Sequence, residues 1–399
     1  MVSQLCDSSF SGGPVEALSL PQEQREFGAA VSEFGRRECG TREQRDALTH
    51  HGAEQHHAGV YQKLADLGYL GVSIPEEYGG SGGGLTEQVI LFEELWRALV
   101  PVHGAGTSHT VAGIYKRFAG EEQKKSALGA ICAGKVMSIS ISEPGAGSDA
   151  AAISCRADKV DGGWRINGQK TWCSDAQFAT AILVVVRTSR GTRPHDGLTL
   201  LEVPADAAGL RISPIATLGG SEVNDLYFTD VFVPESAVVG VEGGGWKQIM
   251  AGLNGERLVC AAQGLGMAQR AFDDLLAYVT ERQQFGAPIG SFQAIRHRIA
   301  DLAIEIEAAK ALTYATVHHI ENEIGSPEEW VRATSMSKVK VTETAKRVAL
   351  EGVQMMGGYG YSCEFDMERH LRMSIAPTIY AGTNEIQRDI ISSTYGLRK

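Results

Sequence analysis

One carboxylate on an otherwise apolar helical stripe is a candidate for proton chemistry. In WKQIMAGLNGERLVCAAQGLGMAQRAF, residues Ile249, Leu253, Glu256, Cys260, Gly264 and Met267 recur at spacings of three and four, which places them on one face of a helix. A carboxylate among apolar neighbours is desolvated, so its pKa should rise and it should act as a stronger base once a substrate closes the site. A glutamate neutralised by a nearby arginine would show the same pattern, and spacing alone leaves both readings open.

Two loops carry a different chemistry. SISISEPGAGSD (138–149) contains Pro144, Gly145 and Gly147, a turn whose exposed amides can meet an anion. About twenty residues on comes NGQKTWCSDA (167–176), and Ser142, Ser148 and Ser174 offer hydroxyls for small-molecule contacts. One such loop reads as an ordinary hairpin corner. Two polar loops in one small β unit, the second bearing an aromatic residue, read as a cofactor face. GAGSDA (145–150) also fits the loose pattern G-x-G-x-x-A, but no βαβ unit surrounds it, so a nicotinamide dinucleotide site is not expected. His50, His51, His56 and His57, with Glu54, lie in a polar stretch without a cysteine or aspartate partner at ligand spacing. They read as a solvated helix face, and no metal site is expected.

These residues need elements to hold them. From Pro21 to Ala133 the pattern is helical, as in EQVILFEELWRAL, broken by IPEEYGGSGGGL. From Val136 to Val239 the texture changes to short β-rich runs such as VMSISIS, ATAILVVV and DLYFTDVFV, which predict an antiparallel β unit, a small barrel. After GVEGGGW the helical period returns and holds almost to the C-terminus. Helices, then strands, then helices is not the alternation of a doubly wound sheet, so the fold class expected is α+β with a β insert. Domain limits are expected at 1–133 (helical), 134–240 (β-barrel) and 241–399 (helical bundle).

Composition narrows the function classes. A chain of 399 residues with 43% apolar residues can bury several subdomains around a shared core. The net charge of -11 comes from scattered acids, which disfavours nucleic-acid binding. The seven cysteines (Cys6, Cys39, Cys132, Cys155, Cys173, Cys260, Cys363) are far apart and form no C-x-x-C, so a disulfide framework is not indicated and a reducing cytoplasm fits. The start MVSQLCDSSFSGGPVEALSL has neither the basic nor the apolar stretch of a signal peptide, and no run of about 18 apolar residues occurs. No membrane association is expected.

With its two loops, ERQQFG (281–286), VQMMGGYGY (353–361) and IYAGTNEIQR (379–388), the sequence resembles the acyl-CoA dehydrogenase family over nearly its whole length, from LADLGYLGVSIPEEYGG (64–80) onward. The resemblance implies an N-terminal helical domain, a middle β-barrel and a C-terminal four-helix bundle, assembled as a homotetramer. It implies FAD as cofactor, an acyl-CoA or another phosphopantetheine thioester as substrate, and an electron-transfer flavoprotein as acceptor. By position, Ile141, Ser142, Trp172 and Ser174 correspond to residues lining the flavin ring, and Ser148 to one beside the CoA arm. Arg282, Gln284 and Phe285 match the segment reaching a neighbouring subunit's FAD. Gln354, Gly357 and Gly358 match the stretch holding the ADP part, and Thr383 with Glu385 the stretch near pyrophosphate and ribityl. An arginine suits pyrophosphate, adjacent glycines admit close backbone approach, and aromatics cover rings.

The same resemblance locates the base. Many members carry a glutamate directly before the G-T of the motif that here reads YAGT, where this chain has Ala381. A methyl group cannot accept a proton. A subset similar to isovaleryl-CoA and long-chain acyl-CoA dehydrogenases instead carries its base in a segment like NGERL, paired with AGT, and both halves of that swap occur here. The implied catalytic base is Glu256, removing the α proton while the β hydride goes to flavin N5. Asn254 and Arg257 become substrate contacts, and the Ala381 N–H remains a donor to the thioester oxygen. The alternatives are a flavin monooxygenase or oxidase on the same fold, a dehydrogenase of carrier-protein-bound acyl groups, and a non-catalytic subunit.

Overall fold

Local sequence signals set where the helices begin. Ser326 and Glu329 form a reciprocal capping box ahead of Pro327, and Thr41 with Gln44 form another. A computed structural model of the chain describes residues 20–397; Cys6 and nearly all of the leading segment discussed above lie outside the described residues. Six helices come first: α1 (Gln22–Cys39), α2 (Arg42–Thr49), α3 (Ala58–Asp66), α4 (Leu85–Arg97), α5 (Gly104–Phe118) and α6 (Glu121–Cys132). Eight strands follow: β1 (Val136–Ser140), β2 (Arg156–Val160), β3 (Gly163–Ser174), β4 (Ala179–Arg187), β5 (Leu198–Pro204), β6 (Leu210–Ile215), β7 (Val223–Pro234) and β8 (Val238–Val239). The long helix α7 (Gly245–Glu281) leads through a small ribbon, β9 (Gln283–Gln284) and β10 (Ala287–Pro288), into α8 (Gln293–Glu321) and α9 (Pro327–Met356). The short α10 (Gly358–Tyr361), α11 (Met367–Ile375) and α12 (Asn384–Ser393) complete the chain.

The helix, strand, helix order expected for an α+β chain is the order found. The strands form one sheet in the order β6, β7, β3, β2, β4, β5, β8, with β1 beside β4. Pairing differs from the expected antiparallel unit at β4, inside the sheet: β1 runs parallel to it, and Arg156 of β2 bridges its Arg187 in parallel. Short apolar runs reveal that strands exist but not the direction of their partners. Here β1 enters from α6 and meets β4 across a long intervening segment, the kind of connection that parallel pairing requires. The run AILVVV is continuous because β4 is covered on both faces. Ile182, Val184 and Val186 face the strand core with Trp164, Leu226 and Val231, while Leu183 and Val185 pack on Ile114, Tyr115 and Leu128.

The two helical regions share one core, with α7 between α4 and α9. Gly266 makes the first contact possible, because a Cβ there would lie 2.2 Å from the Glu93 carbonyl oxygen and 2.7 Å from the Arg97 nitrogen. Gly264 faces α9, where the corresponding Cβ would lie 2.6 Å from a Val341 methyl. Among the described residues no helix is long and apolar enough to cross a membrane.

Candidate active site

Glu256 projects from α7 two turns before the tightly packed Gly264. By surface area it is half-buried, yet protein surrounds the carboxyl closely enough that burial raises its pKa, against the opposing pull of Arg257 and Lys338. Neither cation forms a salt bridge with it among the described residues. Arg257 is buried, donates to the Asn254 side-chain oxygen at 2.8 Å and leaves its Nε without a partner. The glutamate neutralised by a direct arginine partner is therefore not what the structure contains; burial leaves the carboxylate's charged form disfavoured.

The AGT turn comes to the same place. Ala381 and Gly382 adopt φ of 55° and 81° in succession, a left-handed pair that is costly at an alanine. Side chains hold the turn by its carbonyls. Gln387 Nε2 donates to Ala381 O at 2.9 Å, and the buried Lys338 Nζ donates to Gly382 O at 3.0 Å and Asn384 Oδ1 at 2.9 Å. The Ala381 N–H donates to no acceptor among the described residues, so it is free to meet a ligand oxygen. Thr383 caps α12 by accepting from the Ile386 N–H at 3.3 Å, and exposed Glu385 lies in its first turn. Tyr380 bridges to α7: its hydroxyl reaches Gln263 Oε1 at 3.4 Å, and burial raises its pKa well above the usual phenol value, with Cys260, Glu256 and Glu222 adding to the effect.

Glu222 belongs to the loop that carries the other half of the site, since its carbonyl accepts the Asp175 N–H at 2.8 Å. The two sequence loops are stitched together by hydrogen bonds. Thr171 N–H donates to Ser142 O at 3.0 Å, the buried Lys170 Nζ donates to Ile141 O at 2.8 Å, and Ser138 Oγ donates to Ser174 O at 2.8 Å. Lys170 also pairs with Glu143 at 2.8 Å. Burial would raise the Glu143 carboxyl, but Lys170 and the Ser154 and Cys155 amides outweigh it and hold the pKa low. Trp172 stands beside this knot at φ 60°, a residue 59% exposed on strained backbone. Ser148 lies exposed on the neighbouring turn.

Spacing alone did not point to His103, Asp175, Lys338, Tyr380 or Gln263. His103 Nδ1 meets the fully buried Asp175 at 2.9 Å; burial pulls the imidazole pKa down, and the carboxylate outweighs it so that the net shift is upward. The histidine stretch differs from the expected helix face. His50 and His51 take left-handed φ just past α2, His57 caps α3, and His56 is buried between Tyr61 and Phe178. Burial pushes the His56 pKa to about 4, so it is neutral and accepts the Gly104 N–H at 3.2 Å. Among the described residues no group of three metal-ligating side chains gathers.

The remaining residues form a second cluster. Arg282 ends α7 with its guanidinium 5.1 Å from the ring centre of Tyr359, which follows Gly357 and Gly358 in α10. Phe285 is 95% exposed and packs edge-on against Phe292. Gly357 and Gly358 have nothing within 4 Å of a built Cβ, which leaves open backbone for a phosphate-bearing ligand. From Glu256 to Arg282 the helix spans about 39 Å at 1.5 Å per residue, so the two clusters of one chain lie far apart.

A desolvated carboxylate, a free N–H at a strained turn and an exposed indole on a stitched pair of loops suit a flavoprotein oxidoreductase that works on carbon–hydrogen bonds. The exposed Trp172 face, the open Gly357–Gly358 backbone and Arg282 suit the rings and pyrophosphate of FAD. Residues 21–135, 138–231 and 243–395 match, in order, the N-terminal, middle and C-terminal domains of acyl-CoA dehydrogenases. The chain belongs to the acyl-CoA dehydrogenase family, FAD-binding oxidoreductases that act on the CH–CH group of acyl-CoA. It is 31% identical to the mitochondrial isovaleryl-CoA dehydrogenase of Solanum tuberosum, covering 94% of this chain and 91% of that one. The mitochondrial short/branched chain specific acyl-CoA dehydrogenase of Bos taurus is 35% identical, over 84% of this chain and 77% of its own. In three dimensions the crystal structure of an acyl-CoA dehydrogenase from Geobacillus kaustophilus superposes with a TM-score of 0.89 at 31% identity, covering 95% of this chain and 99% of that one.

Proposed function

We propose that Glu256 is the base that removes the α proton of a bound acyl-CoA, with the Ala381 N–H polarising the thioester oxygen. The raised pKa of a carboxylate without a direct cationic partner carries this reading. Desolvation makes Glu256 reluctant to stay charged, so proton transfer from carbon relieves a cost already present in the resting site. Lys338 and Gln387 hold the 381–382 carbonyls, which fixes where the Ala381 N–H points as negative charge develops on the oxygen. Asn254 positions Arg257 beside the substrate, and Ser148 meets the CoA arm. Bound FAD supplies the hydride acceptor, against Ile141, Ser142, Trp172 and Ser174.

The second cluster completes the flavin site of a neighbouring copy in a homotetramer, with Arg282, Gln284, Phe285, Gln354, Gly357 and Gly358 reaching its ADP half. The exposure of Phe285 and the 39 Å span along α7, taken at about 1.5 Å per residue, support this. Thr383 and Glu385 lie toward the pyrophosphate and ribityl of the chain's own cofactor. Domain limits at 133/134 and 240/241, an electron-transfer flavoprotein as acceptor and a cytoplasmic setting belong to the same reading. The last is supported by cysteines that remain free among the described residues.

Anaerobic flavin bleaching by a panel of straight, branched and aromatic acyl-CoAs tests the proposal. Glu256→Gln should keep its FAD and slow bleaching by roughly a thousandfold, within the range of lost general-base catalysis. Near wild-type bleaching by the variant would remove Glu256 from the mechanism. A wild-type protein that binds FAD, ignores every acyl-CoA and reacts with a carrier-bound acyl group or with oxygen would favour the alternatives on this fold.

A further inference from the structure

Away from the catalytic residues, α2 and α11 enclose a cleft of about 160 Å³ whose wall sets Arg42, Arg369 and Arg372 against Asp46, Asp366 and Glu368, with Arg45 reaching Asp366 from outside the wall. Each acid around it already has its own arginine. Arg42 pairs with Asp46 at 3.3 Å, Arg45 with Asp366, and Arg372 with Glu368 at 2.6 Å. Arg270 approaches Asp366 only to 3.9 Å and is bound to Asp274 at 2.9 Å. That leaves Arg369, which lines the cleft and is only 6% exposed, whose side chain makes no hydrogen bond or ion pair among the described residues and whose Nε is buried without a partner. Burial pulls its pKa down, and the nearby Asp366 does not make up the difference. A guanidinium nitrogen buried there without an acceptor is destabilising unless something anionic completes its shell.

We propose that this cleft binds a small tetrahedral oxyanion of the phosphate class. Arg369 is its principal ligand, with His51 at the rim, where its ring is 87% exposed and 3.6 Å from Asp46. A planar, five-donor guanidinium suits bidentate contact with such an anion, and the cleft has room for one. In a molecule of net charge -11, attraction from the overall field cannot account for anion binding here, so it must be local.

The experiment uses the FAD-loaded enzyme in inorganic phosphate against chloride of matched ionic strength, with two readouts. One is the melting temperature. The other is alkylation of Cys363, a free, exposed thiol on the cleft wall, followed by peptide mass spectrometry. Phosphate should raise the melting temperature and slow Cys363 alkylation several-fold, and Arg369→Met should weaken both effects roughly tenfold or more in apparent affinity. His51→Gln changes an exposed ring and so keeps the test open should Arg369→Met fail to fold; it should weaken the protection about threefold. Identical behaviour in phosphate and chloride would overturn the proposal, as would undiminished protection in Arg369→Met. So would a structure of the assembled enzyme with a neighbouring copy's carboxylate against Arg369.

Discussion

Glu256 and Lys338 are charged groups on the buried faces of two packed helices, and only one of them was visible in the sequence. Glu256 stands among Leu253, Cys260 and Met267, so it breaks an apolar stripe. Lys338 has Thr334, Ser335 and Thr342 as its buried neighbours on α9, and a lysine among hydroxyls reads as a solvated face. Tyr380 and Asp175 were hidden for a related reason, because their roles depend on partners more than a hundred and about seventy residues away. The shift at Glu256 sets a sign for two measurements. As the working base it must be unprotonated, so single-turnover flavin reduction should fall on acidification at a pH above the ordinary carboxyl range near 4.3. A carboxyl raised in the folded state contributes stability that is full below its unfolded pKa and lost as pH rises through the folded one. Glu256→Gln should therefore melt higher than wild type at pH 8, and the gain should shrink toward pH 4. A variant no more stable than wild type at pH 8 would show that the carboxylate is not strained by burial.

At the scale of elements, periodicity revealed the helices and the presence of the strands, because burial on one face repeats along the chain. It did not reveal the parallel pairing of β1 with β4, nor the turn that buries His56, since both are decided by contacts between distant segments. It also left the spacing between helices unread. Gly266 and Gly264 look alike in sequence but meet different partners. Gly266→Ala drives a methyl into the backbone of α4 and should cost about 3 kcal/mol. Gly264→Ala meets a methyl of the buried, β-branched Val341 at 2.6 Å and no backbone closer than 3.9 Å; the helix propensity gained, about 1 kcal/mol, offsets part of that clash, so the net loss should be about 1 kcal/mol. Chemical denaturation of the two variants should separate them clearly. Equal losses would mean that α7 is not held against α4 by backbone contact.

Across the whole molecule, the order and spacing of motifs revealed the family and, by resemblance, that Arg282, Gln284 and Phe285 serve a neighbouring copy; the length of α7 added the distance between the two clusters. On the proposed assembly, Glu256→Gln subunits keep an intact clamp for a neighbour's cofactor and Arg282→Ala subunits keep an intact base. Co-expressing the two inactive variants should restore activity at about a quarter of the sites, by random pairing of copies. A mixture no more active than its parts would place both clusters in the service of one chain's own flavin. The unbroken run of α7 also acts as a ruler between two chemistries. One inserted residue anywhere between Glu256 and Arg282 would turn one end against the other by about 100° and advance it about 1.5 Å. Seven residues, close to two full turns, would be the smallest change to restore the facing, and it would move the clamp about 10 Å along the axis. The segment can therefore exchange letters over evolutionary time but cannot readily gain or lose them, and its length is as much a part of the active site as any side chain.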